Sequence, residues 1–189
     1  MKLLIKAKMT RAGQIPANLQ KIILIRHADS CDRVKFAESC AKNGIAHNDL
    51  ARPLSKKGKA QSKKIAEFLK ARSEIMPISL VISSPAKRTK QTIKPFLKSF
   101  KGAYKESKSI APDCTIKGYL SAIENAKNSK IIALVGHQLD LGDFVEYATG
   151  LKQNVDFKKG VIVEMTRKNG AKTIKNGFIL TLLITPDYL

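Results

Sequence analysis

Three short stretches of this chain carry residues able to handle a phosphoryl group, and each follows an apolar run. Arg26-His27-Ala28-Asp29-Ser30 follows Lys21-Ile22-Ile23-Leu24-Ile25, Ser83-Ser84-Pro85-Ala86-Lys87-Arg88 follows residues 78–82, and Gly136-His137-Gln138 follows residues 131–135. Two guanidiniums grip the equatorial oxygens of a phosphoryl group bidentately, which a point-like ammonium does less well. An imidazole among such donors can attack phosphorus and form a phosphohistidine. A second imidazole can donate hydrogen bonds to the transferring oxygens. The stretches supply two of the chain's three histidines and, with Arg52, three of its seven arginines. Spacing alone does not say which histidine attacks, and the chemistry needs no metal.

Other phosphoryl chemistries can be read from the same residues. None of Cys31, Cys40 and Cys114 is followed six residues later by Arg, so the C-x5-R loop of thiol phosphatases is absent. His27-x-Asp29 and His137-x-x-Asp140 could ligate a metal and make a metallohydrolase, although the adjacent Arg26 opposes a cation there.

As an ordered set, four segments resemble the histidine phosphatase superfamily. They are Ile25-Arg26-His27-Ala28-Asp29, Arg52-Pro53-Leu54-Ser55 with Gly58, residues 84–92 (Ser-Pro-Ala-Lys-Arg-Thr-Lys-Gln-Thr), and Val135-Gly136-His137. Within that superfamily the chain is most similar to the short SixA-type phosphohistidine phosphatases, over about residues 21–186. The resemblance implies that His27 is the phosphorylated nucleophile, that Arg26 and Arg88 hold the phosphate, and that His137 is the second pocket histidine. It makes Arg52 a further phosphate or substrate contact, and it implies no cofactor and no metal. Two departures stand out: Ala28 replaces the usual glycine of the RHG motif, and residues 31–48 make a long link before Arg52.

An alkoxide leaving group needs a proton, and Glu106, Asp113 and Glu124 are candidates to give it, none in a diagnostic context. A phosphohistidine substrate relaxes that demand, because its imidazole can be protonated from solvent and leave neutral. The expected activity is therefore removal of phosphate from a phosphohistidine in a signalling protein, such as a histidine-phosphotransfer domain. The alternatives are a small-molecule phosphomonoesterase or a non-catalytic module that binds phosphoprotein or nucleic acid. A phosphoglycerate mutase would carry a longer insertion.

These residues need strand ends that converge. The runs at 21–25, 78–82 and 131–135 are rich in β-branched residues, as expected of strands buried on both faces. Between them lie a helix capped by Ser55 over about 57–71, one over 85–100 that Pro95 should kink, and one over 139–149 closed by Gly150. Alternating strands and helices predict an α/β fold: one three-layer α/β/α domain with a mostly parallel sheet and helices on both faces. Ligands of such sheets sit beyond the carboxyl ends of the strands. Residues 161–166 and 178–184, flanking Asn169-Gly170 and Asn176-Gly177, predict antiparallel edge strands. Residues 1–20 lack periodicity and read as an N-terminal extension, with the phosphatase domain over 21–189.

Composition sets the remaining bounds. Hydrophobic content of 43% with 26% charged residues belongs to a folded chain. The longest apolar run, 178–185, is strand-sized, so no membrane partner is expected, and the lysines at 2, 6 and 8 break any leader-like core. Three cysteines without CxxC spacing suit reduced thiols in the cytoplasm. The formal charge of +20 steers phosphorylated partners. The lysines are dispersed, and aromatics make up only 6%, so nucleic acid is not the expected ligand.

Overall fold

The computed structural model describes residues 13–152 and 157–189. A six-stranded sheet runs through it: β1 (Lys21–Arg26), β2 (Leu80–Ser83), β3 (Ala103–Glu106), β4 (Ile131–Gly136), β5 (Ile162–Arg167) and β6 (Phe178–Ile184), in the order β3-β2-β4-β1-β5-β6. The β3-β2-β4-β1 half is parallel, while β5 joins β1 antiparallel and β6 joins β5 antiparallel. This is the mixed sheet that the pattern of runs and turns predicts.

Four of the five described helices cover it, α2 (Lys56–Ile75), α3 (Lys87–Leu97), α4 (Ile116–Glu124) and α5 (Asp140–Thr149), while α1 (Arg33–Lys42) adds nothing to either core. Successive strand residues point to opposite faces. Ile22 and Leu24 of β1 pack with Tyr119 of α4 and Phe144 of α5, whereas Ile23 and Ile25 pack with Ile65 and Leu69 of α2 and Ile93 and Phe96 of α3. Two apolar cores on one sheet are what doubly covered, unalternating strands require.

Local signals place the helix ends. Ser55 Oγ accepts the Gly58 amide at 3.0 Å, the N-cap that starts α2. Gly150, at φ +79°, closes α5 with its amide on the Glu146 carbonyl at 2.8 Å. The helix α3 is shorter than its sequence suggests, since it begins at Lys87 and ends two residues after Pro95. Residues 13–20, expected to lie ahead of the core, pack on it: Ile15 and Leu19 are buried, and the Ile15 amide bonds the Lys172 carbonyl at 2.9 Å. The remainder of the expected extension, residues 1–12, lies outside the described residues.

Candidate active site

His27 follows directly on β1, the central partner of β4 and β5, and the backbone from His27 to Asp29 is fixed by four hydrogen bonds. The His27 amide donates to the Gly136 carbonyl at 3.1 Å, and its carbonyl accepts the Gly160 amide at 3.1 Å. The next amides, of Ala28 and Asp29, donate to Thr92 Oγ1 at 2.9 Å and to Gln61 Oε1 at 2.8 Å. Ala28 is fully buried among Ile25, Leu54 and the α2 and α3 side chains, and its φ is not positive. The backbone there does not demand glycine, and the methyl group fills core volume.

Arg26, His27, Arg52, Arg88 and His137, the five residues singled out in the sequence, line one cleft of about 320 Å³. It opens at the carboxyl ends of β1, β2 and β4, where a parallel sheet places its ligands. Larger clefts of 470 and 520 Å³ elsewhere hold neither of these histidines. The His27 and His137 rings lie 5.3 Å apart. Four of the five side chains are almost withdrawn from water: His27 is 7% exposed, Arg52 8%, Arg88 2% and His137 3%.

Each imidazole has one nitrogen occupied. His27 Nδ1 lies 2.8 Å from the Ala28 carbonyl, which can only accept, so Nδ1 carries the proton and Nε2 keeps its lone pair. Burial, then the charges of Arg88, Arg26 and Arg52, pushes His27 down to about 4, against the opposing pull of the Ala28 hydrogen bond. His137 Nε2 lies 2.8 Å from Ser84 Oγ, which itself accepts the Ala86 amide at 3.3 Å. Burial, followed by the charges of Arg88 and His27, lowers His137 to about 2. Both rings are neutral at pH 7.

The arginines are held as firmly. Arg26 donates from Nη1 to the Phe157 carbonyl. Arg52 Nη1 donates to Ser30 Oγ at 2.6 Å and to the Cys31 carbonyl at 2.8 Å, and its Nε donates to Asp49 Oδ1 at 2.8 Å. Arg88 Nη1 donates to the Asp49 carbonyl at 2.8 Å, while its buried Nε has no partner among the described residues. Sequence reading did not single out Asp49, although an acid three residues before Arg52 is a local pairing signal.

Of the three candidate acids, Asp113 lines the cleft, with a left-handed backbone at φ +62°. Glu106 sits on the outer strand β3, paired with Lys90 at 3.4 Å, and Glu124 ends α4 away from the cleft lining. Asp29 is engaged by Ser55 and by Lys159 Nζ at 2.7 Å. Among the described residues no group of three or more His, Cys, Asp or Glu side chains is gathered as a metal site. None of their helices is long and apolar enough to cross a membrane.

Residues 22–111 match the sequence profile of the histidine phosphatase superfamily, branch 1. An uncharacterised protein of Picosynechococcus sp. (strain ATCC 27264 / PCC 7002 / PR-6) is 28% identical over 178 residues, covering 89% of this chain and 98% of that protein. The fold resembles that of the protein histidine phosphatase SixA complexed with tungstate, at a TM-score of 0.68 and 19% identity over 88% of this chain and 97% of that one. It also resembles the alpha-ribazole phosphatase from Shigella flexneri, at a TM-score of 0.63 and 12% identity over 88% and 96% of the two chains. The family profile spans residues 22–111, and the motif order and the fold of the chain are similar to those of the histidine phosphatase superfamily.

Proposed function

We propose that this protein is a phosphatase that takes a phosphoryl group onto Nε2 of His27 and releases it to water, and that its substrate is a phosphohistidine in a signalling protein of the cytoplasm. The observation that carries the reading is the state of His27: a neutral ring, its Nδ1 proton held by the Ala28 carbonyl, lining a cleft with Arg26, Arg52, Arg88 and His137. An imidazole in that state is a nucleophile at neutral pH without a general base.

In the first step the Nε2 lone pair attacks phosphorus and the bond to the leaving group breaks. Arg26, Arg88 and Arg52 neutralise the charge on the equatorial oxygens. Ser84 Oγ already accepts the Ala86 amide, so its own proton can go to His137 Nε2, which leaves the His137 proton on Nδ1 as a further donor. A phosphohistidine leaving group departs as imidazole and takes its proton from solvent. Water then attacks phosphorus, the P–Nε2 bond breaks with its electron pair returning to His27, and inorganic phosphate leaves. The resemblance in fold to SixA and the unpaired state of Cys31, Cys40 and Cys114 support the substrate class and the compartment.

One observation favours a second reading. Asp113 lines the cleft, where it could protonate an alkoxide, so a small phosphate ester is the competing substrate class. Wild type and His27→Ala are assayed against a phosphorylated histidine-phosphotransfer domain and p-nitrophenyl phosphate. The expected result is turnover of the phosphoprotein and an acid-labile label on the protein, both lost in His27→Ala. Much faster ester cleavage that falls in Asp113→Asn selects the small-ester reading, and neither label nor turnover selects a non-catalytic binding module.

A further inference from the structure

The arginines of the cleft share one carboxylate. Asp49, on a single turn of 3-10 helix (Asp49–Ala51), presents Oδ1 to Arg52 Nε at 2.8 Å and to Arg33 Nε at 3.4 Å, and Oδ2 to Arg88 Nη1 at 3.1 Å. Its carbonyl takes the same Arg88 nitrogen at 2.8 Å. Counting donors shows what this leaves. Arg52 spends Nε on Asp49 and Nη1 on Ser30 and Cys31, and Arg88 spends Nη1 on Asp49. No partner among the described residues takes Arg52 Nη2 or the Nε–Nη2 edge of Arg88, the edge that binds two phosphoryl oxygens side-on.

Arg88 is also 2% exposed, so its charge cannot be solvated and needs a counter-charge in the protein. Asp49 is its ion-pair partner. Burial pulls the Arg88 guanidinium down and Asp49 opposes that pull; Asp49 in turn is held below the usual carboxylate range, burial notwithstanding, by Arg52, Arg88 and Arg33.

We propose that Asp49 is a positioning residue and a built-in counter-anion: it turns the free Nη2 of Arg52 and the free edge of Arg88 to the cleft and cancels part of their charge, which sets how tightly a phosphoryl dianion is held and lets product phosphate leave. The proposal rests on the reading of the cleft as a phosphoryl site.

Asp49→Asn keeps the size and an acceptor for Arg52 Nε but removes the charge. A bound dianion then becomes the counter-charge for two buried guanidiniums, and inorganic phosphate binds about tenfold more tightly by titration calorimetry, the order expected for one unit charge nearby in a partly screened cleft. The product-inhibition constant for phosphate falls by the same order, and kcat and KM fall together as release becomes limiting. Asp49→Glu keeps the charge and stays within about threefold of wild type. A merely structural Asp49 gives the opposite sign, with weaker phosphate binding on a loosened site. A folded Asp49→Asn protein whose phosphate affinity is unchanged or weaker therefore overturns the proposal. Should the variant be unfolded in plain buffer, recovery of its secondary structure on titration with inorganic phosphate supports the proposal, and failure to recover at saturating phosphate overturns it. If wild type itself neither binds phosphate nor labels at His27, the phosphoryl reading falls and takes Asp49 with it. If wild type does both and Asp49→Asn binds no better, Asp49 alone falls.

Discussion

Keeping two imidazoles neutral inside a ring of arginines makes folding sensitive to acid in a window where most of the chain's ionisable groups do not titrate. In the unfolded chain His27 titrates near 6.5, and in the folded cleft near 4. The folded value is the lower, so the unfolded state takes up the proton first. The contribution of His27 to stability is constant above about pH 7 and falls as the pH drops from 6.5 towards 4. At pH 4.5 a single group with these two values costs about 2.5 kcal/mol, against about 0.2 kcal/mol at pH 7. His27→Asn removes that group while leaving the carboxylates in place. The assay is urea unfolding of wild type and His27→Asn at pH 7, 6, 5 and 4.5. The quantity of interest is the stability difference between the two proteins, in which effects of Asp49 or Glu164 common to both cancel. That difference should move by about 2 kcal/mol in favour of the variant as the pH falls across the window. Parallel pH profiles would refute the reasoning, because they would mean that the folded ring titrates as it does in water.

Two further perturbations act away from the chemistry. Glu164 is fully buried on β5 and bridges Lys21 at 3.0 Å and Arg72 at 2.6 Å, so Glu164→Gln should cost about 3 kcal/mol, or roughly 10 °C in thermal unfolding at pH 7. Burial pushes the Glu164 carboxyl up but its two cations hold it below the usual range, so the gap from wild type should close as the pH falls below about 4. At Gly58, a Cβ would stand 1.8 Å from the Asp29 carbonyl oxygen. Gly58→Ala should therefore lose about 2 kcal/mol by urea unfolding, despite the helix propensity gained, and slow the labelling of His27, two residues from Asp29.

The elements that position the site were legible because they are buried on both faces or capped by side chains. β1 and β4 are continuous apolar runs, and Ser55 and Gly150 mark helix ends with side-chain or backbone chemistry that leaves a sequence signal. What escaped reading is exposed or interrupted. β3, Ala-Tyr-Lys-Glu, pairs among the described residues only with β2 and is exposed throughout. α1 buries Cys40 alone, and α4 is short and carries Gly118 in its first turn. Ile15 and Leu19 form no period, yet both are buried, because they cover the end of the sheet as single contacts. At the site, His27, Arg88 and His137 could be found from strand ends, since a parallel sheet makes its carboxyl ends converge. Asp49 left only the local signal of an acid three residues before Arg52, and its segment is irregular, so no periodicity ties it to Arg88 or to the cleft. Asp113, which lines the cleft beside Asp32, carried no signal beyond its residue type.

The bridge between Ser30 and Leu54 closes residues 31–53 at their base, and the Cys31 amide bonds the Pro53 carbonyl at 2.9 Å. A segment whose ends are tied together contributes to folding mainly through the entropy of closing it, and that entropy grows only logarithmically with length: doubling such a loop costs about 0.6 kcal/mol. The wall that carries α1, Arg33 and Asp49 is therefore a part of the molecule whose size can drift at small thermodynamic cost, while β1, β2 and β4 keep His27, Ser84 and His137 in register beneath it. Length added between Arg33 and Asp49 changes what reaches the cleft, while the clasp, with Arg52 two residues from Leu54 and bonded to Ser30, holds the phosphoryl ligands where they are.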